Sequence, residues 1–560
     1  MAGCKTNPSS KTYLFLIFFF STILLGMQQN TPQEKGVSKV SVEYADSTVF
    51  LESVNPDAIV LKGNVRFRHD SIFMFCDSAY YYRLSNSLEA FSNVRVEQGD
   101  TFFIYGKYLK YDGNSSLAQM RENVRMVHND EVTLFTEHLD YNRTQNIGYY
   151  FDGGMIVDSI NELSSVYGQY SPDTKIAFFK EDVKLVNPQF VLTSDTLKYN
   201  TDNKIADILG YSEIVSDSGF IYSNRGWYNT VTGQSMLYDR SIVVSKDETK
   251  TITADSMFYN RQEGFLEAYG EMVLCDTVQK VNVLGDYGYY DETIDYAFAT
   301  NRAQLIYYPS GSDSLFMHAD TLKLETIEEK RIMKAYYGVR FYREDMQGVC
   351  DSLQFNTADS TLYFYKNPIL WNTGYQINGD TIKAVFNDST LERVEVLNYA
   401  FAMEMKDATY YNQQKGRFLY AYFTAGELTQ IDIHGATESI YYPIDEKDAS
   451  FIGRYKVISD NLTIRVRDRK PIELKWFPEN EEELLPIPDL TPENKFLQGF
   501  IDYNYLRPQS KEDIFIAVQM KEEDIPVVRR AKGQHLQTSA SGEDHSHDDH
   551  DHHDHSHDSD

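Results

Sequence analysis

A chain of 560 residues is longer than one compact core needs, so several domains or a repeat array are expected. Aromatic residues make up 14%, with 42 Tyr and 33 Phe, which favours strands, because flat rings suit a pleated, half-buried surface. The net charge of −30 argues against nucleic acid as a partner, since such a chain repels phosphate backbones.

In chain order, Lys5 and Lys11 precede an apolar run from Tyr13 to Leu25, the pattern of a Sec-type signal peptide over residues 1–27. The A-x-A pattern near Gly26 is weak, so an uncleaved anchor stays open. Cys4 lies ahead of the run and cannot serve as a lipoprotein cysteine. The body is expected outside the cytoplasm. Cys76, Cys275 and Cys350 are far apart, without metal-site spacing, and read as small buried hydrophobes.

The segment Ser194-Asp195-Thr196-Leu197-Lys198-Tyr199-Asn200 recurs along the chain. Copies include Ala254-Asp255-Ser256-Met257-Phe258-Tyr259-Asn260, Ala319-Asp320-Thr321-Leu322-Lys323-Leu324 and Cys350-Asp351-Ser352-Leu353-Gln354-Phe355-Asn356. Anchors from Asp77 to Asp380 follow at intervals of 26 to 34 residues. A second element falls between them: Gly63-Asn64-Val65-Arg66-Phe67, Ser92-Asn93-Val94-Arg95-Val96, Glu122-Asn123-Val124-Arg125-Met126 and Glu181-Asp182-Val183-Lys184-Leu185. Both alternate with period two, so each is a strand with one buried and one wetter face. Such a unit cannot bury its apolar stripe alone, and stacked units give a continuous core. Eleven two-stranded units make a rod on the order of 100 Å long.

This pattern, G-N-V followed by an apolar strand and then A/G-D-x-[LIM]-x-Y, resembles the OstA-like domain of LptA and of the N-terminal part of LptD, the lipopolysaccharide transport proteins. The copies that carry it best are Leu61-Lys62-Gly63-Asn64-Val65 with Cys76-Asp77, and Ser194 to Tyr199. The resemblance covers residues 38–406. Residues 407–510 look like a diverged unit of the same type with a Pro-rich end, and 511–560 like a disordered tail. The resemblance implies an all-β fold, an open V-shaped β-jellyroll or β-solenoid of antiparallel strands. It also implies a periplasmic protein, associated with the inner or outer membrane, that holds lipid A acyl chains of lipopolysaccharide in a hydrophobic groove. An LptD-type outer-membrane protein is the implied partner, and open strand edges suggest end-to-end self-association. The chain has more repeats than an LptA-type subunit and lacks the long strand series of the LptD barrel, so an enlarged bridge or accessory is expected rather than a pore.

The groove candidates form the inward stripe: Val65, Phe67, Val94, Val96, Leu109, Val124, Met126, Leu139, Val183, Leu185, Leu197, Met257, Leu322 and Leu353. A closed, dry core between two sheets needs the same residues, and both readings stay open. The Asp column (Asp77, Asp195, Asp255, Asp286, Asp320, Asp351, Asp380) is read as a turn or strand-edge feature. Calcium rolls need denser acids, and Lys107 and Arg225 replace two members. Arg465, Arg467, Arg469 and Lys470 form a basic cluster, read as a solvated strand face or a contact for lipid phosphates. In the tail, His545, His547, His550, His552, His553, His555 and His557 would bind divalent metal loosely, as adventitious loading or buffering. No other cofactor is implied, and no acid pair or cluster marks a catalytic site, so the protein is read as non-enzymatic. The alternative to lipid transport is a structural or adhesive β-solenoid that binds proteins or glycans.

Overall fold

The computed structural model of the protein describes residues 38–50, 57–309, 313–328, 330–387, 390–445, 447–448, 450–468 and 470–524. The expected signal peptide and the His-rich terminus lie outside them. The described chain is a single antiparallel sheet of 39 strands, and no α-helix occurs among the described residues. The all-β, antiparallel repeat expected from the sequence is therefore the fold. Long strands such as Ala58–His69, Ile72–Tyr82, Ser87–Gln98 and Phe102–Asp112 follow one another as a meander. Elsewhere two short strands in line, such as Glu162–Ser165 and Tyr167–Ser171, make one rung. Read as about 28 rungs with the usual strand spacing of about 4.8 Å, the stack is on the order of 130 Å long.

Each position of the repeated motif has a separate structural task. The final Asn or Asp makes the turn: Asn200 Oδ1 accepts from the Asp202 N–H and Asn229 Oδ1 from the Val231 N–H. The G-N-V element makes a bulge in mid-strand. Gly63 and Asn64, at φ of +77° and +47°, lie between the paired residues Lys62 and Val65, opposite the single residue Asp77. Ser92-Asn93, Glu122-Asn123 and Glu181-Asp182 repeat these left-handed pairs in alternate rungs.

The acidic column closes this corner, which is the turn or strand-edge role expected of it. Asn93 Nδ2 donates to Asp77 Oδ2 at 2.7 Å, and the Asn123 N–H donates to Glu137 at 3.0 Å. The Asp195 and Asp255 N–H groups donate to the Tyr211 and Gly270 carbonyls, so the acids also tie one rung to the next. Left-handed backbone exposes N–H groups that a carboxylate satisfies.

The line of bulges creases the sheet lengthwise into two walls. Wall I holds segments such as Val65–His69 and Ile72–Cys76; wall II holds Ala58–Lys62 and Ser78–Tyr82. Rings meet across the space between them: Phe67 and Tyr81 at 5.9 Å, Phe190 and Tyr228 at 4.6 Å, Phe341 and Phe364 at 5.9 Å. One continuous apolar core runs from Val40 to Ile464.

Of residues 407–510, those up to Pro486 continue the same sheet through Tyr411–Thr424, Glu427–Tyr441, Gly453–Arg467 and Lys470–Pro486. The expectation of a disordered tail over 511–560 is corrected for residues 511–524, while 525–560 lie outside the described residues. Residues 487–524 form an extended strap with four 3-10 turns on the outer surface of wall I. Its apolar anchors explain why it docks. Leu497 packs on Phe401, Met403 and Ile440, while Tyr503 and Leu506 pack on Ile369 and Trp371; Ile514 is fully buried. Buried glutamines pair with its backbone: Gln376 Oε1 accepts from the Tyr503 N–H and Gln413 Oε1 from the Leu497 N–H. Arg340 donates to the Leu506 carbonyl at 3.0 Å. Such residues cannot be left unpaired under an apolar cover.

Candidate functional site

The space between the walls is the candidate site. All fourteen inward residues expected from the sequence, from Val65 to Leu353, point into it and belong to the one core. They are not equally placed along it. From Val65 to Met257 they are at most 3% exposed, whereas Leu322 and Leu353 reach 7% and 8%.

The cause lies at the rims, where the walls end in turns. In the N-terminal half the motif tyrosines close the mouth. Tyr81 donates to the Val40 carbonyl at 2.7 Å. The Tyr111 hydroxyl sits 2.6 Å from His69 Nδ1 on the opposite rim, and Tyr170 2.9 Å from His128 Nδ1. Tyr199 donates to Asp158 at 2.6 Å. These partners stand 41 or 42 residues apart, so each latch joins rungs offset along the stack. Burial pushes the Tyr170 hydroxyl up to about 12, so it stays neutral. Arg143 and Asp70 add an ion pair at 2.8 Å across the rims.

The most buried latch is polar throughout. Asp158 has no exposed side-chain surface; it accepts from Tyr199, from Lys204 at 2.9 Å and from the Ile160 and Asn161 N–H groups. Asn161 Nδ2 reaches Tyr199 at 2.7 Å and Thr230 at 2.9 Å, and Asn187 donates to Asn161. Burial alone would raise the Asp158 carboxyl, yet these donors together hold it below its ordinary value. The described rim-to-rim pairs continue to Arg261 with Gln189, at 3.3 Å, and to Tyr259, which pairs with Ser218.

Beyond that point the tyrosine column changes. Tyr290 is 39% exposed. The next members are Leu324, Phe355 and Ala384, which carry no hydroxyl. Here the inward residues nearest the rims pack on the core with one side and reach solvent with the other. Leu274, Val283, Leu305 and Leu315 do so on wall I, and Leu362, Phe386, Leu391 and Phe423 on wall II. The mouth is thus latched over the first half and lined by half-buried apolar side chains over the second. These lining residues were missed in the sequence reading. They share the inward phase of the expected stripe but sit farther from the crease.

The other sequence candidates fall elsewhere. Among the described residues no group of His, Cys, Asp and Glu could hold a metal ion. Cys76 and Cys350 are free and buried, and burial pushes the Cys76 thiol up to about 12. Cys275 differs from the expectation: it lies half-exposed beside Asn282, to which its thiol donates at 2.9 Å. In the basic cluster Arg465 pairs with Glu473 at 3.3 Å and both are more than half exposed, the solvated strand face; Arg469 lies outside the described residues. The tail histidines lie outside them too. No described helix is long and apolar enough to cross a membrane, which leaves strands unaddressed.

Comparison with known proteins bears on the N-terminal part. Residues 37–195 match the model of a family described as OstA-like protein. No curated protein matches the chain. Among solved structures, the chain is similar to LptH of Pseudomonas aeruginosa, described as the LptA homologous periplasmic component of its lipopolysaccharide transport device. The identity is 11%, over 26% of this chain and 80% of that chain, with a TM-score of 0.16. A score that low carries no argument, and the fold rests on the strand pairings themselves.

Proposed function

We propose that this chain, OstA-like over residues 37–195, is a periplasmic lipopolysaccharide-binding transport or bridge protein of outer-membrane assembly. Acyl chains lie between the walls where the mouth is unlatched, and the latched half serves as a stiff extension of the stack. The observation that carries this reading is the coincidence of two changes. The rim tyrosines give way to Leu324, Phe355 and Ala384 where inward aliphatics become half-exposed. A saturated chain needs only apolar surface and dispersion contacts, which Leu305, Leu362, Phe386 and Leu391 offer without a charged partner. An LptD-type outer-membrane protein is the proposed recipient.

Site-specific photocrosslinking in living cells tests this. A photoreactive residue replaces Leu305, Leu362 or Phe386, with Lys198 on the outer face as control. Leu197 and Met257 serve poorly as probes, because both are fully buried and their replacement disturbs the core. Lipopolysaccharide adducts at the three inward positions and none at Lys198 are expected. Their absence from a folded, exported protein refutes the reading and leaves a structural or adhesive solenoid.

A further inference from the structure

In the same rungs where the mouth opens, the two outer surfaces differ. The strap covers wall I, while no described residue covers the outer surface of wall II. Cross-strand register aligns two rows there. In one, Phe258, Tyr289, Phe298, Tyr363 and Tyr420 stand with charged or amide neighbours. In the next, Tyr287, Thr300, Thr321, Tyr336, Ser352 and Tyr365 present hydroxyls one strand after another.

The rings are half-exposed, and three pairs lie nearly parallel, while Phe258 with Phe265 and Tyr287 with Phe298 are tilted by 48° and 59°. Phe265 stacks on Tyr289 at 5.9 Å and 25°, Tyr289 on Phe298 at 5.6 Å and 26°, and Tyr363 on Tyr365 at 5.9 Å and 6°. The charges between them are balanced by pairing. Glu325 accepts from Lys323 and Lys334, and Glu395 from Arg393 at 2.8 Å with Lys383 at 3.8 Å. Glu267 accepts from the Tyr269 and Tyr287 hydroxyls, both at 2.8 Å. On a chain of net charge −30, this surface has its acids matched by cations and phenols.

We propose that the outer surface of wall II, between Phe258 and Tyr420, binds a linear, uncharged polysaccharide laid along the stack, across the strands. An aromatic face carries partial negative charge and attracts the polarised C–H bonds on one side of a sugar ring. The neighbouring hydroxyl row exchanges hydrogen bonds with sugar hydroxyls. Matched charges favour a neutral ligand over an anionic one, and a flat sheet without a pocket suits an extended polymer better than a small molecule. This site is separate from the interior proposed for acyl chains, and a lipid-free probe reports on it alone.

Native gel electrophoresis of the full chain in gels cast with pullulan, dextran or lipid-free O-polysaccharide tests the proposal. Retardation by at least one of the three is expected, and its loss in Tyr289→Ala/Phe298→Ala and in Tyr363→Ala/Tyr365→Ala. Tyr105→Ala, on the outer surface of wall I, is expected to migrate as wild type. A second readout needs no variant: nitration of Tyr289 and Tyr363 by tetranitromethane, located by mass spectrometry, is expected to fall several-fold when the retarding glycan is present. Free migration in all three gels overturns the proposal. So does retardation that survives both double substitutions, or nitration unchanged by glycan. Retardation by a protein partner in place of any glycan makes the surface a protein interface and overturns it equally.

Discussion

Replacing Asp158 by Asn tests whether the rim latches hold the N-terminal half closed. The asparagine keeps the size of the side chain and can still accept from the Ile160 and Asn161 N–H groups. It cannot match the charge of Lys204, and its amide nitrogen cannot accept from Tyr199. Breaking a buried pair by neutralising one partner costs about 3–5 kcal/mol. Lys204 retains some exposure and can turn toward water, so the low end applies, about 3 kcal/mol. In a stack where rungs contact only their neighbours, the loss stays local. Amide hydrogen exchange in the strands Ile176–Asn187 and Phe190–Asn200 should accelerate about 100-fold, while Phe102–Asp112 keeps its protection. The pH dependence follows from the sign of the shift. A carboxyl held below its ordinary value stabilises the fold at neutral pH, and that contribution is lost as pH falls through its folded value. The gap between wild type and variant should therefore begin to narrow below about pH 4 and close only once pH passes the lowered folded value. Uniform acceleration along the chain, or none at all, refutes the reasoning.

Three further outcomes are expected. Gly270→Ala should cost about 2 kcal/mol, because φ is +74° there and the new Cβ would lie 2.5 Å from Asp255 Oδ2; urea denaturation measures it. Gln376→Ala removes the acceptor for the Tyr503 N–H and the donor to the Ile501 carbonyl, about 1–3 kcal/mol, so limited proteolysis should cut the strap first. Burial first, and Lys175 second, hold the His128 imidazole below its ordinary value, so it accepts from Tyr170 as the neutral form. Protonation opposes the folded state, and exchange protection near Tyr170 should fall as pH drops below about 6.5 and recover above it.

Much of this was legible in the sequence for a physical reason: the repeat assigns one task to each motif position. Asp at the crease, Leu197 or Met257 in the core and Asn at the turn all occur many times, and repetition exposes them. The period-two alternation fixed the inward phase of Val94 and Leu197 correctly. Two features stayed hidden. The strap is held by single-copy residues, Gln376, Gln413 and Arg340, whose partners in it lie 82 to 173 residues away, a distance that no local pattern spans. The opening of the mouth was written in the motif's tyrosine position, where Tyr199 and Tyr259 become Leu324 and Phe355. Nothing in one strand shows that this hydroxyl reaches an acceptor on the facing rim about 42 residues away.

The bulged corner has a consequence for how such a molecule acquires its length. Each bend is completed within neighbouring rungs, by a left-handed pair on one strand and a carboxylate on the next. A duplicated hairpin would bring its own hinge and need no adjustment elsewhere. Gene duplication can thus lengthen the molecule by about 10 Å per copy, as a ruler gains divisions. For the bridge proposed above, the width of the gap would select the number of copies.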